Sequence, residues 1–171
     1  MEQTGFLIKT FTMVADLNED RIRLDVIDDG GALLSIHLTR RLTDRLVPDL
    51  SKRAEANVRS GLPKDLTLSF EQEALRIARE ANPLPPVQIP KDAKPSLCQT
   101  IKIAGGKEAA ALTLIDGSGF EAKMNLDRKL ILAFLDVALV TYRSLEWSEE
   151  SFPQWIRERG NRERRGALLL N

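Results

Sequence analysis

The side chains best suited to recognition chemistry lie near the end of the chain. Residues 157–171 carry five arginines against two glutamates, and Trp147 and Trp155 precede them. Guanidinium groups donate paired hydrogen bonds to phosphates and carboxylates, and Trp and Arg often anchor protein interfaces. We therefore expect this segment to bind a protein partner or a second copy of the chain, with nucleic acid as the alternative partner. The residues assigned to this interaction are Trp155, Arg157, Arg159, Arg162, Arg164 and Arg165.

Two further pairs of basic residues stand 88 positions apart, each directly after a residue typical of a helix N-cap. The helix dipole disfavours positive charge at that end. One interpretation makes the pairs two equivalent anion sites, for phosphate or for acidic side chains. The favoured interpretation is local pairing with Asp20 and Glu108. The candidate anion-binding residues are Arg40, Arg41, Arg128 and Lys129.

Residues suited to catalysis or metal binding are few. His37 is the only histidine and Cys98 the only cysteine, so one chain offers neither a histidine cluster nor an internal disulfide. We interpret His37 as a polar residue that helps cap a helix, and Cys98 as a small buried side chain. Four aspartates on hairpin turns or an outward strand face are expected to be solvated: Asp25, Asp28, Asp29 and Asp116. The sequence therefore favours a non-catalytic protein with no catalytic residue, cofactor or metal.

Composition and charge indicate an ordinary globular protein. The chain has 171 residues, of which 43% are apolar and 29% charged, with 25 basic residues against 25 acidic ones. A formal net charge of zero argues against a protein that coats nucleic acid or an acidic membrane over its whole surface. Neither a signal peptide nor an apolar run of membrane-spanning length is predicted. We expect a cytoplasmic protein with no membrane partner.

The elements that must position these residues form two similar stretches. Residues 26–42 and 114–130 align without a gap, and both contain an Asp-x-x-Gly turn signal. Apolar residues alternate before the turn, as in a half-buried strand, and recur every four residues after the N-cap, as in a long helix. We expect an α+β fold of two pseudo-repeated β-β-β-α units, with antiparallel sheets packed against long helices, a short connecting helix and a C-terminal helix.

Local signals predict where these elements begin and end. The strands are expected over residues 6–15, 21–27, 32–37, 97–103, 109–115 and 120–125. Thr39 and Asp127 are the expected N-caps, and Pro48 should kink or break the first long helix. The connecting helix is expected over residues 70–81, behind a capping box formed by Ser69 and Gln72.

A proline-rich connector divides the chain into two halves. Residues 83–96 contain five of the eight prolines and separate a first half, 1–82, from a second half with the aromatic and arginine-rich extension, 97–171. The halves could also form one compact domain. The predicted function is a non-catalytic interaction or accessory protein that binds a partner, or itself as a homodimer, through the C-terminal Trp/Arg segment. The alternatives are nucleic-acid binding through the arginines, and a small-ligand site or enzyme at the seam between the halves.

Overall fold

Seven strands form one sheet in the order β1-β7-β6-β5-β4-β3-β2. The structure is a computed structural model that describes residues 5–56, 58–59 and 61–157. The strands are β1 Phe6–Ile8, β2 Thr10–Asp16, β3 Arg21–Ile27, β4 Leu33–Leu38, β5 Ser96–Ala104, β6 Ala110–Asp116 and β7 Glu121–Leu126. The helices are α1 Arg40–Glu55, α2 Lys64–Ala81 and α3 Arg128–Ser144. A further helical turn covers residues 154–157.

The two ends of this sheet are joined by adjacent residues of the chain. β1 and β2 lie at opposite ends of the strand order but are separated only by Lys9. The Lys9 amide donates a hydrogen bond to the Ile27 carbonyl of β3 at 2.9 Å. The pairing of β2 with β3 therefore continues to the residue between β1 and β2. The sheet is therefore curled until its edges meet at residues 6–16.

The expectation of purely antiparallel sheets is wrong, because the sheet is mixed. β4 pairs with β5 in parallel, and β1 pairs with β7 in parallel. All other neighbours are antiparallel. Hairpin turns force antiparallel pairing inside each half, whereas two helices and the connector return the chain to the same end of the sheet before β5. Strand pairs thus cross the predicted boundary between the halves.

The two β-hairpins that precede α1 and α3 have matching registers. Ile22 pairs with Leu38, and the residues 88 positions further on, Ala110 and Leu126, also pair. Both turns contain a glycine with positive φ, at 85° and 87°, a conformation that L side chains rarely adopt. An internal duplication is our hypothesis for this match.

Both predicted N-caps are confirmed. The Thr39 hydroxyl accepts a hydrogen bond from the Leu42 amide, and the Asp127 carboxylate accepts one from the Leu130 amide. The sequence predicted either a kink or a break of α1 at Pro48. α1 continues through Pro48 without a break. Buried residues on both sides of the proline hold the helix on the core, which offsets the lost hydrogen bond: Leu46, Val47 and Leu50.

The connecting helix is longer than predicted, and the expected capping box is wrong. α2 begins at Lys64, so Ser69 and Gln72 lie within it. Gln72 is buried, and its Nε2 donates a hydrogen bond to the Leu132 carbonyl of α3 at 2.9 Å. Gln72, which has the spacing of a capping residue, therefore links α2 to α3 instead.

One hydrophobic core serves both halves. The inward residues of β3 and β6 are buried together with those of α1 and α3. The Phe11 ring of β2 lies 5.7 Å from the Phe134 ring of α3. The Tyr142 ring meets Trp147 and Phe152 edge-on, so the aromatic residues after α3 complete this core.

Candidate functional site

The aromatic residue assigned to interaction, Trp155, lies inside the protein. Trp155 is 4% exposed, and its indole N–H donates to Glu55 at 3.0 Å. Arg157 is the last described residue. Arg159, Arg162, Arg164 and Arg165 lie outside the described residues. A role in interaction stays a prediction for these arginines, whereas Trp155 anchors the segment to α1.

The basic pairs at the starts of α1 and α3 do not form two equivalent sites. Arg40 pairs with Asp44 at 3.5 Å within α1. Arg128 pairs with Glu71 of α2 at 2.8 Å and also donates to the Ala54 carbonyl at the end of α1. Local pairing was expected, but with Asp20 and Glu108, and these partners are wrong. The hairpins fix the backbone position of each arginine. The long side chain then decides which carboxylate the guanidinium can reach.

A different pair of arginines faces a hollow on the surface. Arg41 and Arg45 lie one turn apart on α1 and, with Gln99 and Thr100 of β5, line a space of about 310 Å³. Among the described residues, neither guanidinium has an ion-pair or hydrogen-bond partner. Like charges four residues apart on a helix repel each other. The hollow therefore offers an anion two guanidinium groups that have no partner among the described residues.

The expectation that Asp25 is solvated is wrong. Asp25 is 4% exposed, accepts paired hydrogen bonds from the Arg23 guanidinium at 3.0 and 3.1 Å, and accepts another from the Ser35 hydroxyl at 2.8 Å. The connector runs past the neighbouring strand β2, where the Val87 amide donates to the Thr12 hydroxyl. A strand face that alternation predicts to be outward is thus partly covered by a distant segment.

His37 lies on the same strand face but does not cap α1, because Thr39 makes that hydrogen bond. Its buried ring instead meets Asp16, with Nε2 3.0 Å from the carboxylate. Burial raises the pKa of Asp16, but hydrogen bonds from the Glu19 amide and from His37 outweigh this and hold it below its usual value. His37 and Ser35 each pair with a different carboxylate, so they do not form a nucleophile–base pair.

The remaining candidates for chemistry are structural. Cys98 is buried, and burial raises the pKa of its thiol, which disfavours the reactive thiolate. Asp116 accepts hydrogen bonds from Ser118, Ser96 and the Phe120 amide, which lower its pKa to about 2. It is a turn carboxylate, as the sequence predicts. Among the described residues, no group of three or more His, Cys, Asp or Glu side chains could hold a metal ion.

An apolar groove of about 670 Å³ lies between the sheet and the helices. One wall is the β1–β2 junction, and the others are the last turns of α2, the start of the connector and the outer side of α3. We call it the seam groove. Its apolar lining includes Phe11, Met13, Leu75, Leu84, Met124, Leu130 and Val137. Leu84 is 80% exposed at the rim, so the groove presents apolar side chains directly to solvent.

Few polar groups line the seam groove, and its charged ones are already paired. Arg79 of α2 forms an ion pair with Asp136 of α3. Lys9 pairs with Asp29 at 2.9 Å, which raises the pKa of the lysine. Thr10, Asn82 and Asn125 supply uncharged hydrogen-bonding groups. The two basic side chains that line the groove, Lys9 and Arg79, therefore both have carboxylate partners.

The sequence predicted a small-ligand site at the seam between the halves only as an alternative. The seam groove lies where the halves meet, but the connector and α2, which have no counterpart, form much of it. One signal points to it: α3 is apolar on more sides than its core contacts require. Leu130, Ala133 and Val137 follow helical spacing on a side that lines the groove, whereas buried Leu135 and Leu139 lie on the opposite side of the helix.

Comparisons with protein-family models, with curated proteins and with solved structures find no match to this chain. No helix among the described residues is long and apolar enough to cross a membrane.

Proposed function

We propose that the protein is a non-catalytic binding protein whose seam groove takes up an uncharged, largely apolar small molecule. The groove itself carries this proposal: about 670 Å³ lies within the range of ligand-binding cavities, roughly 300 to 1,000 Å³. An exposed apolar concavity is unfavourable in water, so filling it with an apolar molecule is driven by the hydrophobic effect.

The pairing of the charged groups supports an uncharged ligand. An anionic ligand would have to compete with Asp136 for Arg79, or with Asp29 for Lys9. A hydroxyl or carbonyl group, in contrast, could bond to Thr10, Asn82 or Asn125 without displacing an ion pair. An aliphatic alcohol therefore fits the groove better than a fatty-acid anion of the same length.

Hydrogen bonds and an ion pair link the walls of the groove to one another. The Val87 amide bonds to the Thr12 hydroxyl at 2.9 Å and holds the connector against β2. Gln72 bonds to the Leu132 carbonyl, and Arg79 pairs with Asp136, so α2 is tied to α3 at two points. A preformed site loses less conformational entropy on binding than a site that must be assembled.

The test is a fluorescence titration with N-phenyl-1-naphthylamine, an uncharged apolar probe. Decanol and decanoate then compete for the bound probe. We expect saturable binding at one site per chain, and displacement by decanol at lower concentration than by decanoate. Absence of saturable binding would overturn the proposal, and equal displacement by the two competitors would overturn its preference for an uncharged ligand.

Two substitutions on α3 provide a matched pair for this titration. Ala133→Phe places a ring in the groove, whereas Val140→Phe adds the same ring at an exposed position of the same helix that does not line it. We expect the first variant to weaken probe binding at least about tenfold, equivalent to about 1.4 kcal/mol, and the second to leave it unchanged. Thermal melting of both variants checks that each is folded. If both variants are folded and bind the probe with equal affinity, the probe binds outside the seam groove.

Anion binding, including binding of nucleic acid, is a second candidate function. It is favoured by Arg41 and Arg45, which line a hollow and have no ion-pair partner within the described part of the chain. Binding of a labelled single-stranded oligonucleotide should then weaken steeply between low and moderate salt. It should also be lost in an Arg41→Gln, Arg45→Gln variant. Retained binding in that variant would instead direct attention to the C-terminal arginines, whose interaction with a protein or nucleic acid remains our original prediction.

A further inference from the structure

The outer face of α2 carries an apolar stripe that nothing in the described chain covers. The inner face of α2 packs on α3 through Leu68 and Gln72. The opposite face carries five exposed apolar residues at helical spacing: Leu66, Phe70, Ala74, Ile77 and Ala81. Phe70 is 58% exposed and Ile77 is 55% exposed. Single exposed apolar residues are ordinary, but a continuous stripe of this kind marks an interaction surface.

The spacing of this stripe is self-complementary. Leu66 and Phe70 lie eight and four residues before Ala74, whereas Ile77 and Ala81 lie three and seven residues after it. In an antiparallel pair with Ala74 at the two-fold axis, Phe70 meets the partner's Ile77, and Leu66 meets the partner's Ala81. The small side chain at the axis permits close approach of the helices, and a large residue faces a small one at each end.

The charges beside the stripe match in the same arrangement. A two-fold axis perpendicular to α2 brings the same flank of both helices together, and this flank carries Glu73, Arg76 and Glu80. Arg76 lies 2.8 Å from Glu73 and 3.5 Å from Glu80 within one chain. Across the axis, Arg76 comes opposite the partner's Glu73, and Glu73 comes opposite the partner's Arg76. Opposite charges therefore meet on both sides of the axis.

We propose that the outer face of α2 binds a second copy of this chain as an antiparallel homodimer. α2 has 18 residues and is about 27 Å long. A single helix pair of this length buries less than the roughly 1,200 Å² typical of stable interfaces, so a reversible dimer of about micromolar affinity is expected. The seam groove is lined by Leu75, Ala78 and Arg79 of α2, none of which belongs to the stripe. The two proposals stand or fall separately.

Sedimentation velocity of the full chain from about 5 to about 500 µM tests the dimer. We expect a monomer–dimer equilibrium for the native chain. Phe70→Glu should be monomeric over this range, because two copies would bury a charge in the interface. Leu17→Glu, which changes an exposed residue in the β2–β3 turn, should behave like the native chain. A native chain that remains monomeric throughout, or a Phe70→Glu variant that still dimerises, would overturn the proposal.

Cysteine cross-linking tests the register. In a Cys98→Ser background, Ala74→Cys places one thiol of each copy at the axis, within disulfide reach under a mild oxidant such as oxidised glutathione. We expect rapid covalent dimers from this variant. Val140→Cys, on an exposed part of α3, is the control and should form them only slowly. Equal rates for the two variants would overturn the antiparallel arrangement about Ala74.

Discussion

α1 and α3 begin in the same way. Each follows a hairpin of matching register, and each N-cap side chain accepts a hydrogen bond from the amide three residues further on. The first residues of the two helices nevertheless differ in role. Arg40 is exposed and pairs within its own helix, whereas Arg128 joins α3 to Glu71 of α2 and to the end of α1.

The difference arises because α2 has only one copy. It packs beside α3 and supplies Glu71 to Arg128, whereas among the described residues Arg40 has an ion pair only with Asp44 of its own helix. The same singular helix and the connector after it also form much of the seam groove. The similar hairpins and long helices therefore contribute most of the core, whereas α2 and the connector form much of the groove that we propose as the binding site.

The largest expected effect is on the shared inner positions of the two hairpins. Leu24 and Leu112 lie 88 residues apart, and both are buried. Replacing either by Ala removes a core side chain and leaves a cavity, which costs about 2–5 kcal/mol. We expect Leu24→Ala and Leu112→Ala to lower the free energy of unfolding by similar amounts in urea denaturation. If only one of the two variants changed the free energy of unfolding by less than about 1 kcal/mol, Leu24 and Leu112 would not have equivalent roles in the core.

An intermediate effect should separate Arg128 from Arg40. Arg128→Ala removes a partly buried ion pair and a hydrogen bond to the Ala54 carbonyl, and we expect a loss of about 1–2 kcal/mol in the free energy of unfolding. Arg40→Ala removes an exposed pair within one helix and should change it by less than about 0.5 kcal/mol. Glu71→Gln is the partner control and should be destabilising in the same sense as Arg128→Ala. Equal losses for Arg128→Ala and Arg40→Ala would mean that α2 does not distinguish the two helix starts.

The smallest effect concerns the turn carboxylate Asp116. Hydrogen bonds from Ser118 and Ser96 lower its pKa in the folded protein to about 2, below the value of about 4 expected when unfolded. Its contribution to stability is therefore complete above about pH 4 and is lost as the pH falls towards 2. We expect the difference in free energy of unfolding between the native chain and Asp116→Asn to shrink over this interval.

A titration of the Asp116 carboxyl carbon by NMR measures this pKa directly. Ser118→Ala should move the midpoint upwards, because it removes the hydrogen bond with the largest effect. An unchanged midpoint in this variant would contradict the role given to Ser118.

The sequence predicts the elements whose signals are local. The alternation of Arg21–Ile27 defines β3 to the residue, and Thr39 and Asp127 cap their helices as expected. Short-range hydrogen bonds and side-chain periodicity decide these features, so neighbouring residues contain the necessary information.

Features that depend on distant segments could not be predicted in this way. Asp25 follows the pattern of an outward residue, yet it is buried in a network with Arg23 and Ser35. The closure of the sheet at Lys9 depends on strands separated by more than 100 residues. The seam groove depends on where α2 and the connector come to lie, and no local pattern specifies that position.

The central claim, that binding takes place where α2 and the connector meet the rest of the fold, can be tested through two methionines. Met13 and Met124 both line the seam groove. With ¹³C-methyl methionine labelling, addition of decanol should shift the methyl signals of Met13 and Met124 in a saturable manner. Signals of Met13 and Met124 that stay in place at every decanol concentration would contradict the claim.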